Sequence, residues 1–453
     1  MHCQAGTKSV KKRLIATTLG MALAISAATS GAVDTQDAHP QQISVNGKIY
    51  RWPVRPLVVV LIDGNDPEYV KAGLERGIIP TMKRFIDEGF AAVAVGAMPS
   101  FTNPNNISVI TGVAPSVHGI SGNYFLDPSN GKEVMMNAPE LLRADSILAR
   151  FSQAGAKVVA ITAKDKLAKM LAHGMNMENG ISFSAEKADQ CDRRKNGIDH
   201  CLEFVGRPLP DPYSVDLSLF MLEAGVKIFE RDKPDLMYLS TSDYLQHTYA
   251  PGSPAANDFY AAVDALLGRL VADGAVLAVT ADHGMNDKSR ADGSPNVIFL
   301  QDVLDSAFGS DKTKVILPIT DPYVKHHGAL GSFATIFLHD RLSAVEVMKV
   351  VRRQPGVELV LDREAAARLY DLPPDRIGDL IVIGDRATVL GTRRADHDLS
   401  QLAGHRLRSH GGLADRNTYL MFSRPLNQEY ARIAVSRPLR NFDVFDFALN
   451  GLQ

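Results

Sequence analysis

Cysteine is scarce in this chain: three among 453 residues, one of them Cys3 near the N-terminus. That leaves at most one bridge, Cys191 to Cys201, in the rest of the protein. A dominant charge is missing too, with 49 basic and 51 acidic residues and no long basic run. A nucleic-acid footprint shows as a basic patch or stripe, so nucleic acid is not an expected partner. Beyond residues 14–28 no stretch is long and apolar enough to cross a bilayer, which takes about 20 mainly apolar residues. There is no internal repeat and no low-complexity linker. What is present is an ordinary globular composition, 45% apolar and 22% charged, enough for one large domain and a smaller one.

The N-terminus follows a different plan. Lys8, Lys11, Lys12 and Arg13 form a positive block, residues 14–28 are apolar, and the small residues Ser30 and Ala32 follow. This order is that of a secretory signal peptide, with cleavage expected after Ala32. A membrane anchor is the other option, but Thr, Ser and Gly dilute the apolar stretch. Residues 1–32 are therefore read as a leader, and the mature chain as soluble and periplasmic or secreted, a cytoplasmic protein being the alternative. Cys3 would leave with the leader. In an oxidising compartment Cys191 and Cys201 are a disulfide candidate, and two buried thiols are the other reading.

Residues 33–53 suggest a small leading hairpin. From residue 57, short apolar runs recur at 57–62, 91–95, 157–161, 236–239 and 275–280. Stretches with helical spacing lie between them, at 68–88, 144–153, 214–230 and 256–271. This alternation predicts an α/β fold, a mostly parallel sheet with helices on both faces. Residues 290–375 change texture and read as a smaller α+β cap insertion, with helices at 343–352 and 363–370. Residues 378–390 read as strands returning to the main sheet. The catalytic domain is then 33–289 together with 376–453.

In such a sheet, chemistry sits beyond the carboxyl ends of the strands. The run 57–62 ends in Asp63. The run 236–239 leads to Asp243, with His247 four residues on. The run 275–280 ends in Asp282 and His283, and a distant loop supplies His410. Any one of these could be a helix cap or a satisfied polar group. Together they gather mixed oxygen and nitrogen donors on one sheet edge, which suits zinc and its divalent neighbours.

Thr102 lies in the turn-rich run MPSFTNPNN, 98–106, just before an apolar helical stretch. Its hydroxyl could cap that helix. The same place favours an anionic phosphoryl group, and a nearby divalent ion could activate the hydroxyl as a nucleophile.

These pieces resemble the nucleotide pyrophosphatase/phosphodiesterase branch of the alkaline-phosphatase superfamily. They are LIDG at 61–64, FTN at 101–103, GNYF at 122–125, DYLQH at 243–247, DHG at 282–284 and HG at 410–411. They fall in the family's order along nearly the whole mature chain. The runs MPSFTNPNN, SVHGISGNYFLD, TAKDKL and YLSTSDYLQH narrow the likeness to members that hydrolyse phosphonoacetate. The resemblance implies an alkaline-phosphatase-like fold and two divalent metal ions, zinc above all. One would sit on Asp243, His247 and His410, the other on Asp63, Asp282 and His283, with Thr102 reaching the second through its hydroxyl. Asn123 would donate its amide to a phosphoryl oxygen. A signal peptide and a cysteine pair are departures from a family member expected in the cytoplasm.

Lys164 and Lys166 follow the run 157–161. Two residues apart on an extended segment, they would point the same way and could hold a substrate carboxylate; a pair of solvated lysines is the plain alternative. His118, His326 and His327 read as structural or cleft-lining groups. The expected activity is cleavage of the carbon–phosphorus bond of phosphonoacetate to acetate and phosphate, through a phospho-threonine. The small-molecule phosphonate is the expected partner, and the oligomeric state, a homodimer included, is open. A phosphodiesterase or nucleotide pyrophosphatase on the same site is the nearest rival, and a non-catalytic metal- or phosphonate-binding protein a more distant one.

Overall fold

A computed structural model describes residues 40–320, 328–402 and 405–453. The proposed leader, with Cys3, lies outside the described residues, as do His326 and His327. No helix among the described residues is long and apolar enough to cross a membrane.

The main sheet has eight strands. In chain order they are β1 (Leu57–Leu61), β2 (Phe90–Val95), β3 (Val158–Thr162) and β4 (Ile181–Ser184). They continue with β5 (Leu236–Ser240), β6 (Val276–Thr280), β7 (Asn417–Phe422) and β8 (Leu439–Arg440). Their order across the sheet is β8-β2-β7-β6-β1-β5-β3-β4. Neighbours pair in parallel except around β7, which runs against both β2 and β6. The fold is the alkaline-phosphatase-like one expected.

Four neighbouring strands, β6, β1, β5 and β3, are buried along their whole length. The alternation within β1 shows why. Val58 and Val60 point into one helix-covered core, while Leu57, Val59 and Leu61 point into the other. Both faces are covered, so the sequence reads as a continuous β-branched run. The helices Val215–Asp232 and Pro254–Ala272 cover the first face. The helix Thr102–Thr111, buried at every residue, lies against the second.

The leading hairpin pairs Gln42–Val45 with Lys48–Arg51. The helical stretch 68–88 is divided into Pro67–Glu75 and Pro80–Glu88. Gly77 takes φ +68° between them and Pro80 opens the second helix; proline fits a first turn, whose N–H needs no partner, but not a helix interior. Cys191 and Cys201 are joined as a disulfide, with Cα atoms 6.0 Å apart.

Residues 378–390 depart from expectation. Leu380–Gly384 does not return to the main sheet; it is an inner strand of a separate four-stranded sheet, between Phe333–Leu338 and Val357–Asp362. Val389–Gly391 pairs with Val297–Phe299. The smaller sheet therefore extends past residue 375. An apolar run such as LIVIG states burial on both faces but not which sheet provides it. The core of this cap also takes in Met98 and Phe101 from the loop before Thr102, so the cap packs directly on the segment that presents the candidate nucleophile.

Candidate active site

Because β6, β1, β5 and β3 are adjacent and parallel, their carboxyl ends form one edge. Asp63 follows β1, Asp243 follows β5, Asp282 and His283 follow β6, and Lys164 and Lys166 follow β3. His410 arrives from the loop after the short strand Arg408–Ser409, which pairs with Asn286–Asp287. Gly411 holds φ +117°, and a Cβ there would meet the Phe101 ring at 2.5 Å. Only glycine accepts both the conformation and the close approach. The left-handed turn at Gly64, φ +69°, plays a like part beside the Cβ of Asp243, 3.2 Å from where its own would lie.

The donors collect in two groups that share a ring. Asp63, Asp282 and His283 form one; Asp243, His283 and His410 form the other. His247 joins through Asp243, its Nε2 lying 2.9 Å from the Oδ2 of that carboxylate. His410 Nε2 is 3.6 Å from the same oxygen. His283 Nε2 lies 3.4 Å from Asp63 Oδ1, 3.7 Å from Asp282 Oδ2 and 3.5 Å from the Thr102 hydroxyl. The rings of His283 and His410 stack at 3.6 Å.

The second ring nitrogens decide what this cluster can hold. His247 Nδ1 donates to the carbonyl of Arg408 at 2.7 Å, His410 Nδ1 to that of Ser100 at 2.7 Å, and His283 Nδ1 to that of Gly284 at 2.9 Å. A neutral ring whose Nδ1 proton is so committed presents a lone pair at Nε2. Each Nε2 then faces a carboxylate oxygen, acceptor against acceptor, which is favourable only with a cation or proton between them. Burial, with His283 beside it, pushes the His410 ring down to about 3, so that ring stays neutral. Asp63 Oδ1 is buried without a hydrogen-bond partner. Burial, then the charges of Asp243 and Asp282, push the Asp63 carboxyl well above the usual carboxylate range, with Lys166 acting in the opposite sense. Asp282 is raised as well, chiefly by burial, against the pull of His283. An orphaned oxygen, crowded carboxylates and inward-facing lone pairs fit divalent cations.

Thr102 is the first residue of its helix, after Phe101 at the N-cap, and its hydroxyl lies at His283 Nε2. The cap reading is thereby corrected: the backbone takes helical geometry one residue earlier than a cap requires, and the side chain is left at the His283 ring. Asn123 Oδ1 accepts the N–H of Asn103 at 2.9 Å. That orients the Asn123 amide beside Thr102, with its NH2 as the donor.

The lysine pair does not lie on one extended segment. The strand stops at Thr162, Lys164 is the N-cap of the helix Asp165–Ala172, and Lys166 sits in its first turn. A tight strand-to-helix connection leaves no room for two more extended residues. Lys164 Nζ donates to the Pro212 carbonyl and lies 4.4 Å from the centre of the Tyr213 ring. His118 is structural: its Nε2 pairs with Ser108 Oγ at 2.9 Å and its Nδ1 accepts the Ile120 N–H.

Several supporting residues escaped sequence reasoning. Asn106 Oδ1 accepts from Tyr238 and Ser240, at 2.8 and 2.9 Å, while its Nδ2 donates to Asp282 Oδ2 at 3.2 Å. Arg408, buried, donates to the carbonyls of Gln246 and Met285. Lys288 and Asp415 form a fully buried ion pair, with Nζ to Oδ2 at 3.1 Å. An asparagine pair on a helix devoid of charge was the available signal for the first; Arg408 and Lys288 look like ordinary surface residues in the sequence.

With this geometry in hand, the chain can be placed. Residues 57–412 match the type I phosphodiesterase/nucleotide pyrophosphatase family, and the chain belongs to that family. It is similar to the phosphonoacetate hydrolase of Sinorhizobium meliloti 1021, solved in complex with phosphonoformate and with phosphonoacetate. The two share 47% identity at a TM-score of 0.86, over 90% of this chain and 98% of that one. Human ectonucleotide pyrophosphatase/phosphodiesterase 5 shares the fold, at 16% identity and a TM-score of 0.59, over 87% of this chain and 93% of that one. An uncharacterized pyrophosphatase/phosphodiesterase of Schizosaccharomyces pombe is 24% identical over 260 residues, covering 54% of this chain and 44% of the relative. The chain thus spans less than half the length of the curated relatives it matches.

Proposed function

We propose that this hydrolase cleaves the carbon–phosphorus bond of phosphonoacetate, giving acetate and phosphate, with Thr102 as the nucleophile. The observation that carries the reading is the Thr102 hydroxyl, unused as a cap and 3.5 Å from His283 Nε2 within the shared donor cluster. The likeness to phosphonoacetate hydrolase over almost the whole described chain supports the substrate.

Asp243, His247 and His410 would hold one divalent cation, and Asp63, Asp282 and His283 a second, zinc suiting both sets of oxygen and nitrogen donors. When bound, such ions neutralise charge on phosphoryl oxygens and make a hydroxyl or water more acidic. Thr102 gives up its hydroxyl proton and attacks phosphorus. The carbon–phosphorus bond breaks with its electron pair moving to carbon, where conjugation with the carboxylate spreads the charge as an enolate, and a proton from water completes acetate. Water then cleaves the phospho-threonine, releasing phosphate and restoring Thr102. The Asn123 amide donates to a phosphoryl oxygen. Lys166, whose charge bears on Asp63, would offset the carboxylate charge where it grows in the transition state, while Lys164 is held at Pro212 and Tyr213. The export expected from residues 1–32 would put the reaction in the periplasm or outside the cell; N-terminal sequencing of exported protein should then begin near Val33.

A phosphodiesterase reading rests on the family match alone. The two part on a side-by-side assay of phosphonoacetate and a nitrophenyl phosphodiester. Lys166→Ala should depress phosphonoacetate turnover by at least about tenfold while sparing the diester, since a charge-assisted contact matters most where charge develops. Equal loss on both substrates, or diester turnover exceeding that of phosphonoacetate in the unaltered protein, favours the phosphodiesterase.

A further inference from the structure

Three arginines gather outside the donor cluster. Where the cap meets the edge of the main sheet, a cavity of about 420 Å³ is lined by Arg416, Arg437 and Arg440, with Tyr370 and Asp371 from the cap. Residues 95–98, from the last residue of β2 onward, also line it.

The arginines are unequally compensated. Arg437 is held by Asp443 through two contacts, at 2.6 and 3.1 Å. Arg440 meets Asp371 at 3.7 Å, and both side chains are half exposed. Arg416, half-buried, makes no ion pair among the described residues; its Nε donates to the Gly96 carbonyl at 2.9 Å, and its guanidinium lies 5.9 Å from the centre of the Tyr370 ring. Three guanidinium groups therefore stand against two carboxylates. The planar fork of arginine matches an oxyanion through paired hydrogen bonds, and among the described residues the side-chain hydrogen bond of Arg416 is the one from Nε to Gly96, leaving Nη1 and Nη2 without an acceptor.

We propose that this cavity is a binding site for a small oxyanion of the phosphate type, distinct from the metal-ligand cluster. Its lining connects it to catalysis. The N–H of Gly96 donates to the Arg416 carbonyl at 2.8 Å, and a Cβ on Gly96 would meet the carbonyl of Asp282 at 2.8 Å. The next N–H, of Ala97, donates to Asn105 Oδ1 on the Thr102 helix at 2.7 Å. An anion that draws Arg416 inward pulls on the strand end packed against Asp282, so occupancy of the cavity is positioned to tune the active site by product-like anions.

The test is calorimetric titration of the metal-loaded full chain with inorganic phosphate, for the unaltered protein, Arg416→Gln and Arg440→Gln. Arg440 is exposed, which keeps at least one variant folded. A phosphate-binding event present in the unaltered protein and lost in both variants is the expected result. Isotherms that superimpose in all three proteins, or no phosphate binding in the unaltered one, overturn the proposal. An additional event that persists in both variants belongs to the metal-ligand cluster, so failure here is distinguishable from failure of the proposed hydrolase function.

Discussion

Asn106 donates from Nδ2 to Asp282 Oδ2 at 3.2 Å, so the helix that carries Thr102 is bonded directly to a carboxylate of the donor cluster. The same side chain accepts from Tyr238 and Ser240 on β5. The Thr102 helix, the donor cluster and the sheet are thereby set in one register by a single amide. Replacing it affects alignment and stability together. Asn106→Ala should cost about 1–3 kcal/mol in denaturant melts, the penalty of leaving buried polar groups unpaired. Turnover should fall by at least about tenfold, as a small misplacement of reacting groups can do. A variant with unchanged turnover would show that Thr102 is aligned by other means.

Lys288 and Asp415 offer a second test of how the site is held. Both side chains are fully buried. Asp415 also accepts from Asn286 and from the N–H of Gly412, and its carbonyl takes the N–H of Gly284. The pair thus ties the loop after His283 to the loop after His410. Lys288→Met alone should destabilise by about 3–5 kcal/mol, because it leaves a buried charge uncompensated. Removing both charges, Lys288→Met with Asp415→Leu, should cost less than the single change. Urea melts at one pH decide; a double variant as unstable as Lys288→Met alone, or worse, would contradict this account.

These two cases mark where the sequence could be read and where it could not. Asp63, Asp243, Asp282 and His283 were legible because each closes or follows an apolar run, and parallel strands carry such residues to one edge. His410 was singled out as an imidazole in a distant loop, and only the resemblance assigned it a place beside Asp243 and His247. Arg408, Lys288 and Asp415 gave no sign, since burial of a charge depends on which distant loop covers it. The segment 378–390 went astray for a related reason: its apolar pattern fixes that Leu380–Gly384 is an inner strand, and pairing over long separations chooses the sheet.

His118 supplies a pH signature free of the metal question. Burial, then the nearby Arg376 charge, hold its ring at about 3 in the folded chain, against an ordinary value of 6.5. The unfolded chain therefore binds a proton below 6.5 that the folded chain refuses, and stability falls as pH drops through that window. At pH 5 the loss from this ring should be about 2 kcal/mol relative to pH 7.5. His118→Gln should flatten the pH dependence between 7.5 and 5 by a similar amount, measured by urea melts. An unchanged slope would mean that His118 takes up its proton in place.

Metal binding should carry its own pH dependence. The Asp63 and Asp282 carboxyls are raised in the absence of an ion, and they must lose their protons to act as ligands. Zinc added to chelated protein should raise the melting temperature more at pH 7.5 than at pH 5, because ligand binding to the folded state alone stabilises it. No zinc-dependent shift at either pH would remove the metal-site reading.

Phosphate release from phosphonoacetate by metal-loaded Thr102→Ala, with metal content measured on the same sample, bears most directly on the proposed reaction. The unaltered protein should release phosphate and acetate in equal amounts. Thr102→Ala should keep the metal content of the unaltered protein and lose turnover by roughly a thousandfold or more, as removal of an essential nucleophile does. Substantial phosphate release by a metal-replete Thr102→Ala protein would contradict the covalent route.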